Sequence, residues 1–239
     1  MTTMTSYQEL DALGEGLAYG YMKKLGRLRS AALDIEGFVT DYLGLTIVYE
    51  TFAEEDKSRI GFLSDGKTPL KVFRNNGPSA VVFPVNTVVI DRYLQRNSES
   101  ARKRFTIAHE AAHYLLNIHV PAQMEACYKS EFDSESIYSF DEQRKIFSLN
   151  ESFADRLGAA VLMPLFLVNK VLKKHNNSKK VICYDGGVFS QSQKVAIQKM
   201  ANDLGTSYSA LINRLRELKL LETHPIDEYI TTELGLGVI

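Results

Sequence analysis

Cysteine is almost missing from this 239-residue chain: Cys127 and Cys183 stand far apart, with no C-x-x-C pair. That excludes a disulfide framework and a dithiol redox site, and a reduced, cytoplasmic setting is expected. An excess of either charge is missing too. Lys+Arg 28 against Asp+Glu 29 leaves a net charge of -1, so composition gives no electrostatic case for nucleic acid or a membrane surface as the main partner. Long apolar runs are absent: the uncharged stretch Leu157–Val168 is too short to span a bilayer and contains Pro164. The opening residues Met1–Leu10 have no basic start followed by an apolar run, so no secretory signal is expected. There is no internal repeat or low-complexity tract, and the length suits one large domain or one with a small appendage.

What the chain does contain is Phe105-Thr-Ile-Ala-His109-Glu110-Ala-Ala-His113. On a helix, residues four apart share a face, so His109 and His113 can reach one metal ion. Glu110 is turned about 100° from His109, which suits a base beside the metal better than a third ligand. This is the H-E-x-x-H pattern of zinc peptidases. With 5 His and 17 Glu available, chance alone gives about 0.007 such matches per chain. The surroundings favour burial. From Asn97 or Ser98 to Ile118 the sequence reads as one helix, apolar nearly all round through Phe105, Ile107, Leu115 and Leu116. Two histidines and a glutamate buried there without partners would cost several kcal/mol, a difficulty that a metal removes. The alternative is a pair of histidines on a helix surface.

A catalytic zinc needs a third protein ligand and one open position. His119 stands where the pattern H-E-x-x-H-x-x-G-x-x-H has its third histidine, but Leu116 replaces the glycine that turns the chain out of the helix. Glu151 is the stronger candidate. It lies four residues before Asp155, so the two share a helix face; Glu151 can complete a His₂Glu set while Asp155 accepts the outer N–H of a ligating imidazole. Ser148-x-x-Glu151 also matches a capping box, with Glu151 merely closing a helix start. The apolar spacing of Ile146, Phe153, Leu157, Ala160 and Val161 argues instead for a helix beginning near Asp141 or Glu142, with Glu151 in its middle.

Arg104 to Leu116 resembles the signature stretch of the ImmA/IrrE-type zinc metallo-endopeptidases. Glu151-x-x-Ala154-Asp155 followed by Leu162-Met163-Pro164 resembles that family's second helix, and Ser207–Leu220 is similar to its small C-terminal helical region. The likeness spans roughly residues 34–222, the two metal helices being its specific part. Ala111 and Ala112 replace the usual Leu-Gly, Asp155 stands where the family often has Asn, and 37 residues separate His113 from Glu151. The resemblance implies an α+β fold: a zincin-like catalytic domain with a small mixed or antiparallel sheet packed on the H-E-x-x-H helix, plus a C-terminal, helix-turn-helix-like region. It also implies a Zn²⁺ cofactor, with Mn²⁺ as the alternative, and a helix-turn-helix transcriptional repressor as the protein substrate.

The remaining chain fits that outline. We expect a helical extension over 1–33, a metallopeptidase domain over 34–175, and a helical region with a tail over 176–239. Leu10–Leu28 can form a helix, although four glycines weaken it. Asp34–Leu43 reads as a short helix stopped by Gly44. Strand patterns follow at Leu45–Glu50, Arg59–Leu63, Leu70–Phe73, Ala80–Phe83 and Thr87–Asp91, broken by Asp65-Gly66, Asn75-Asn76-Gly77-Pro78 and Pro84. The mixed-charge, serine-rich segment 123–145 is a lid candidate or a solvated insertion. Leu165–Lys174 reads as a helix and Asn176–Gly187 as a loop.

Val195–Leu204, Gly205-Thr206 and Ser207–Leu220 have helix-turn-helix spacing. Lys194, Lys199, Arg214, Arg216 and Lys219 could face a phosphate backbone, or form the solvated side of a helix pair packed on the catalytic domain; the second is expected. His175 and His224 are expected to be ordinary polar residues. Two rival functions stay open beside the endopeptidase: a metal-containing DNA-binding or antitoxin-like regulator without turnover, and a scaffold or sensor on the same fold. Retention of Glu110 speaks against the scaffold or sensor, since a structural site needs no base, whereas a closed four-ligand site would support the regulator.

Overall fold

Ser6 opens the first helix, α1 (Tyr7–Lys24), through a capping box in which its side chain accepts from the Glu9 amide and Glu9 reaches back to the Ser6 amide. In this computed structural model, residues 6–56, 59–75, 77–119 and 140–236 are described; Cys127 and most of segment 123–145 lie outside them. Asp34 caps a short helix α2 (Ile35–Gly37), accepting from the Gly37 amide, and the chain continues as one π turn, Phe38–Tyr42. The protein folds as two compact units: residues 1–28 with 34–162, and residues 29–33 with 163–239.

In the first unit, strands β1 (Thr46–Glu50), β2 (Gly61–Leu63) and β5 (Thr87–Asp91) form a mixed sheet in the order β1-β5-β2. β1 runs parallel to β5 and β2 antiparallel to it. The apolar run Val88-Val89-Ile90 is fully buried, as a central strand requires. β2 is three residues long and lies at the sheet edge. β3 (Leu70–Arg74) and β4 (Gly77–Val81) make a separate hairpin. The expected strand Ala80–Phe83 is therefore displaced toward Gly77. Gly77 and Pro78, expected to break the chain, instead pair with Arg74 and Phe73, because proline is tolerated on an edge strand. Phe52, Phe62, Leu70, Val72, Phe83 and Val89 pack into a core that includes residues of both sheets.

Helices α3 (Ser100–His119) and α4 (Phe140–Leu162) follow. The first turn expected at Asn97 is a 3₁₀ turn, Asn97–Glu99, and the α-helix starts at Ser100. Ile107, Ala108, Ala111, Ala112, Leu115 and Leu116 are buried, so the middle of the helix is enclosed as its composition predicts, whereas Ile118 near its end is exposed. α4 packs against both α1 and α3. Asp11 and Arg156 join α1 to α4 by an ion pair with an Nε–Oδ1 distance of 2.9 Å, and the Arg156 guanidinium lies over the Tyr7 ring. The N-terminal helix thus belongs to the unit that carries α3 and α4.

The second unit contains α5 (Leu165–Asn176), α6 (Gln191–Leu204) and α7 (Tyr208–Glu217), with a parallel pair β6 (Val181–Tyr184) and β7 (Leu221–His224) and a last helix α8 (Ile226–Thr232). The loop expected over Asn176–Gly187 holds strand β6. Four residues give little periodicity, and the partner strand comes only after two further helices. Gly205, at φ 66°, ends α6, and Ser207 caps α7 by accepting from the Ala210 amide. Among the described residues no helix is long and apolar enough to cross a membrane.

Candidate metal centre

The H-E-x-x-H segment lies within α3, with His109 and His113 one turn apart on it. Their Nε2 atoms are 3.0 Å from each other. Glu151, in the middle of the 23-residue α4, brings its carboxylate to 3.2 Å from His109 Nε2 and 3.5 Å from His113 Nε2. The mid-helix position removes the reading of Glu151 as a helix cap. His109 Nδ1 lies 2.8 Å from Asp155 Oδ1. A neutral imidazole that donates from Nδ1 turns the Nε2 lone pair toward the centre. Leu116 is helical, so the chain does not turn out of α3 at the position where the longer histidine pattern has its glycine.

These three donors suit a divalent ion. His109, His113 and Glu151 each offer one ligand atom, and the atoms all lie within 4.8 Å of one another. Ligands about 2.0–2.1 Å from a shared tetrahedral ion sit about 3.3 Å apart, and the hydrogen-bond-scale separations above bracket that figure. Two imidazole nitrogens and one carboxylate oxygen also match the ligand types of a catalytic zinc site, with one coordination position left over.

Charge in the cluster follows the same geometry. Burial disfavours the His109 cation, but its hydrogen bonds to Asp155 and Glu151, with the negative charge of Glu110, push its pKa up to about 10. Burial and the neighbouring His109 push His113 down to about 4. Two rings this close cannot both hold a proton cheaply. The hydrogen bond from His109 holds the Glu151 carboxyl below its ordinary range. Glu110 is enclosed, and burial raises it to about 7, against the opposing pull of His109. A carboxylate poised there is suited to accept a proton at neutral pH.

Two glycines contribute where no motif marks them. A Cβ on Gly158 would stand 3.2 Å from the Ala108 carbonyl and the His109 amide nitrogen, so this residue lets α4 lie close against the backbone of α3. A Cβ on Gly61 would stand 2.5 Å from Glu110 Oε1. A glycine inside the strand pattern Arg59–Leu63 is the available signal, since such glycines mark close backbone approach. Of the two histidines expected to be ordinary polar residues, His175 bonds Asp203 at 2.8 Å and His224 bonds Glu228 at 2.6 Å. Arg214 is corrected: it does not face outward. Its side chain is buried, donating to the Met163 carbonyl and pairing with Glu217.

The Asp155 contact has a measurable consequence. Asp155→Ala removes the acceptor that fixes the His109 tautomer, and zinc affinity should fall roughly 10–100-fold. A competitive zinc titration of the two proteins measures it; equal affinities would show that the 2.8 Å contact does not orient the ligand.

No curated protein matches the chain. The profile of the Peptidase_M78 family, described as the IrrE N-terminal-like domain, matches residues 40–216, a span that includes both metal helices and the C-terminal helix pair. With that match over most of its length, this chain belongs to the IrrE N-terminal-like peptidase family.

Proposed function

We propose that this protein is a zinc-dependent endopeptidase that cuts a helix-turn-helix transcriptional repressor and so relieves repression. The observation that carries the reading is the buried Glu110 beside a His-His-Glu donor set, because a carboxylate kept next to the centre without being one of its donors serves catalysis and a structural metal has no use for it. A divalent ion held by His109, His113 and Glu151 supplies Lewis-acid polarisation of the scissile carbonyl and acidifies water to a pKa of about 7. Glu110 takes the proton of the attacking water and returns it to the departing amine nitrogen. Asp155 keeps His109 in the tautomer whose lone pair faces the centre. Zn²⁺ suits this nitrogen-rich donor set, with Mn²⁺ as the alternative.

The repressor substrate comes from the family resemblance, and the near-neutral composition agrees with a protein partner. The competing reading, a DNA-binding regulator without turnover, rests on the basic residues of α6, α7 and the turn that follows. It loses one of the five, since Arg214 is buried; Lys194, Lys199, Arg216 and Lys219 are not. Metal-replete wild type and Glu110→Gln are to be incubated with repressors encoded near the gene, and the products read by mass spectrometry. One discrete fragment pair from wild type alone is expected. No fragments, combined with retardation of duplex DNA that weakens steeply with salt, would hand the function to the regulator.

A further inference from the structure

Strand β2 does more than cover α3. In its antiparallel pairing, the Ile60 carbonyl and both the amide and the carbonyl of Ser64 point toward β5: Ile60 accepts from Asp91, Ser64 donates to Thr87 and accepts from Asn86. Alternation along the strand turns the peptide groups of Gly61 and Leu63 the other way, off the sheet edge. The Leu63 amide faces the Glu110 carboxylate there and favours its anion. Two residues earlier on the same strand, the missing side chain of Gly61 leaves the room that this carboxylate fills. A Cβ would lie 2.5 Å from Glu110 Oε1, 3.0 Å from its Cγ and 2.6 Å from Thr106 Cγ2. Atoms essentially never approach so closely, and Glu110 is enclosed by its surroundings.

We infer that Gly61 and the Leu63 amide on edge strand β2 are the positioning elements for the general base, holding the Glu110 carboxylate in one rotamer beside the His109–His113–Glu151 centre. The inference rests on the endopeptidase reading for its catalytic consequence, but the seat itself is a property of the chain. A carboxylate on a helix has three side-chain torsions to settle. Here one face is closed by a strand too near to allow a side chain, and the N–H of Leu63 on that strand faces the carboxylate and favours its anion. Neither residue is one of the metal donors, so the seat and the metal site are separable by mutation.

The test uses the full-length, zinc-loaded protein and two readouts. The first is the amide resonance of Leu63 in isotopically labelled protein. In Glu110→Gln the charged acceptor is lost, and the Leu63 amide proton should move upfield while that of Ser64, bonded within the sheet, stays in place. In Gly61→Ala the carboxylate is displaced, and the same Leu63 shift should appear with zinc stoichiometry unchanged. Thr106→Ser in the Gly61→Ala background removes the competing methyl contact; the Leu63 shift should persist there, whereas its full reversal would show that Thr106 sets the spacing. The second readout is turnover of fluorescein-labelled casein, where Gly61→Ala should lower kcat about 10²-fold, the cost of a misplacement near 1 Å, with KM little changed. A Leu63 amide that responds to neither Glu110→Gln nor Gly61→Ala overturns the inference. Should wild type leave casein and repressors uncut while the Leu63 shifts appear, the seat stands and the peptidase reading falls.

Discussion

Replacing His109, His113 or Glu151 with alanine is expected to abolish stoichiometric metal binding, while His119→Ala leaves it intact. The three donor atoms stand within 4.8 Å of one another, and each residue supplies a single atom, so every deletion reduces a three-point site to two. The losses differ in origin. His113 is the more buried imidazole, its side chain 10 % exposed, whereas the Glu151 side chain is 59 % exposed. His113→Ala therefore also leaves a cavity in α3, and Glu151→Ala removes the one anionic donor with little disturbance of packing. Glu151→Ala should accordingly fold normally and bind no metal after dialysis. Metal analysis of all four variants, with circular dichroism as the folding control, decides the matter. Binding lost in His119→Ala and kept in Glu151→Ala would move the third ligand to the other candidate.

How much of this centre can be read from the sequence varies with the distance over which the information acts. His109, Glu110 and His113 are legible because helical spacing is local, and four residues fix a shared face. Glu151 and Asp155 are legible in the same way as a pair on α4, but their meeting with α3 depends on helix packing, which no spacing encodes. The packing rests on Gly158, whose Cβ would crowd the Ala108 carbonyl and the His109 amide nitrogen; in sequence it is one small residue among Leu157, Ala159 and Ala160. The sheet shows the same limit. Thr87–Asp91 is legible as a buried strand from its apolar run, whereas β6 pairs with β7 from across two helices and neither announces its partner. Arg214 misleads because a basic residue near the end of a helix, between Asn213 and Leu215 and close to Arg216, resembles a solvated one. Only the fold supplies the Met163 carbonyl and the Glu217 carboxylate that let it be buried.

Glu110→Gln is expected to retain the metal and the fold and to lose about 10²–10⁴-fold in turnover, the usual contribution of a general base. The amide has nearly the volume of the carboxylate, so the tight space beside Gly61 and Thr106 remains filled. Its chemistry differs in two ways. It cannot accept a proton at neutral pH, and it offers the Leu63 amide a neutral acceptor in place of a charged one. The enclosure of Glu110 penalises its anion, and replacing it with a neutral amide relieves that penalty. Thermal unfolding should therefore occur at the same or a slightly higher temperature in Glu110→Gln, in contrast to its loss of activity. A stability gain beside a catalytic loss is the signature of a residue retained for chemistry rather than for folding. Steady-state cleavage of a repressor substrate and thermal melts, both on protein of equal zinc content, measure the two effects together. Near-normal turnover in zinc-replete Glu110→Gln would assign the proton transfer to another group, and a marked loss of stability would make Glu110 a packing residue first.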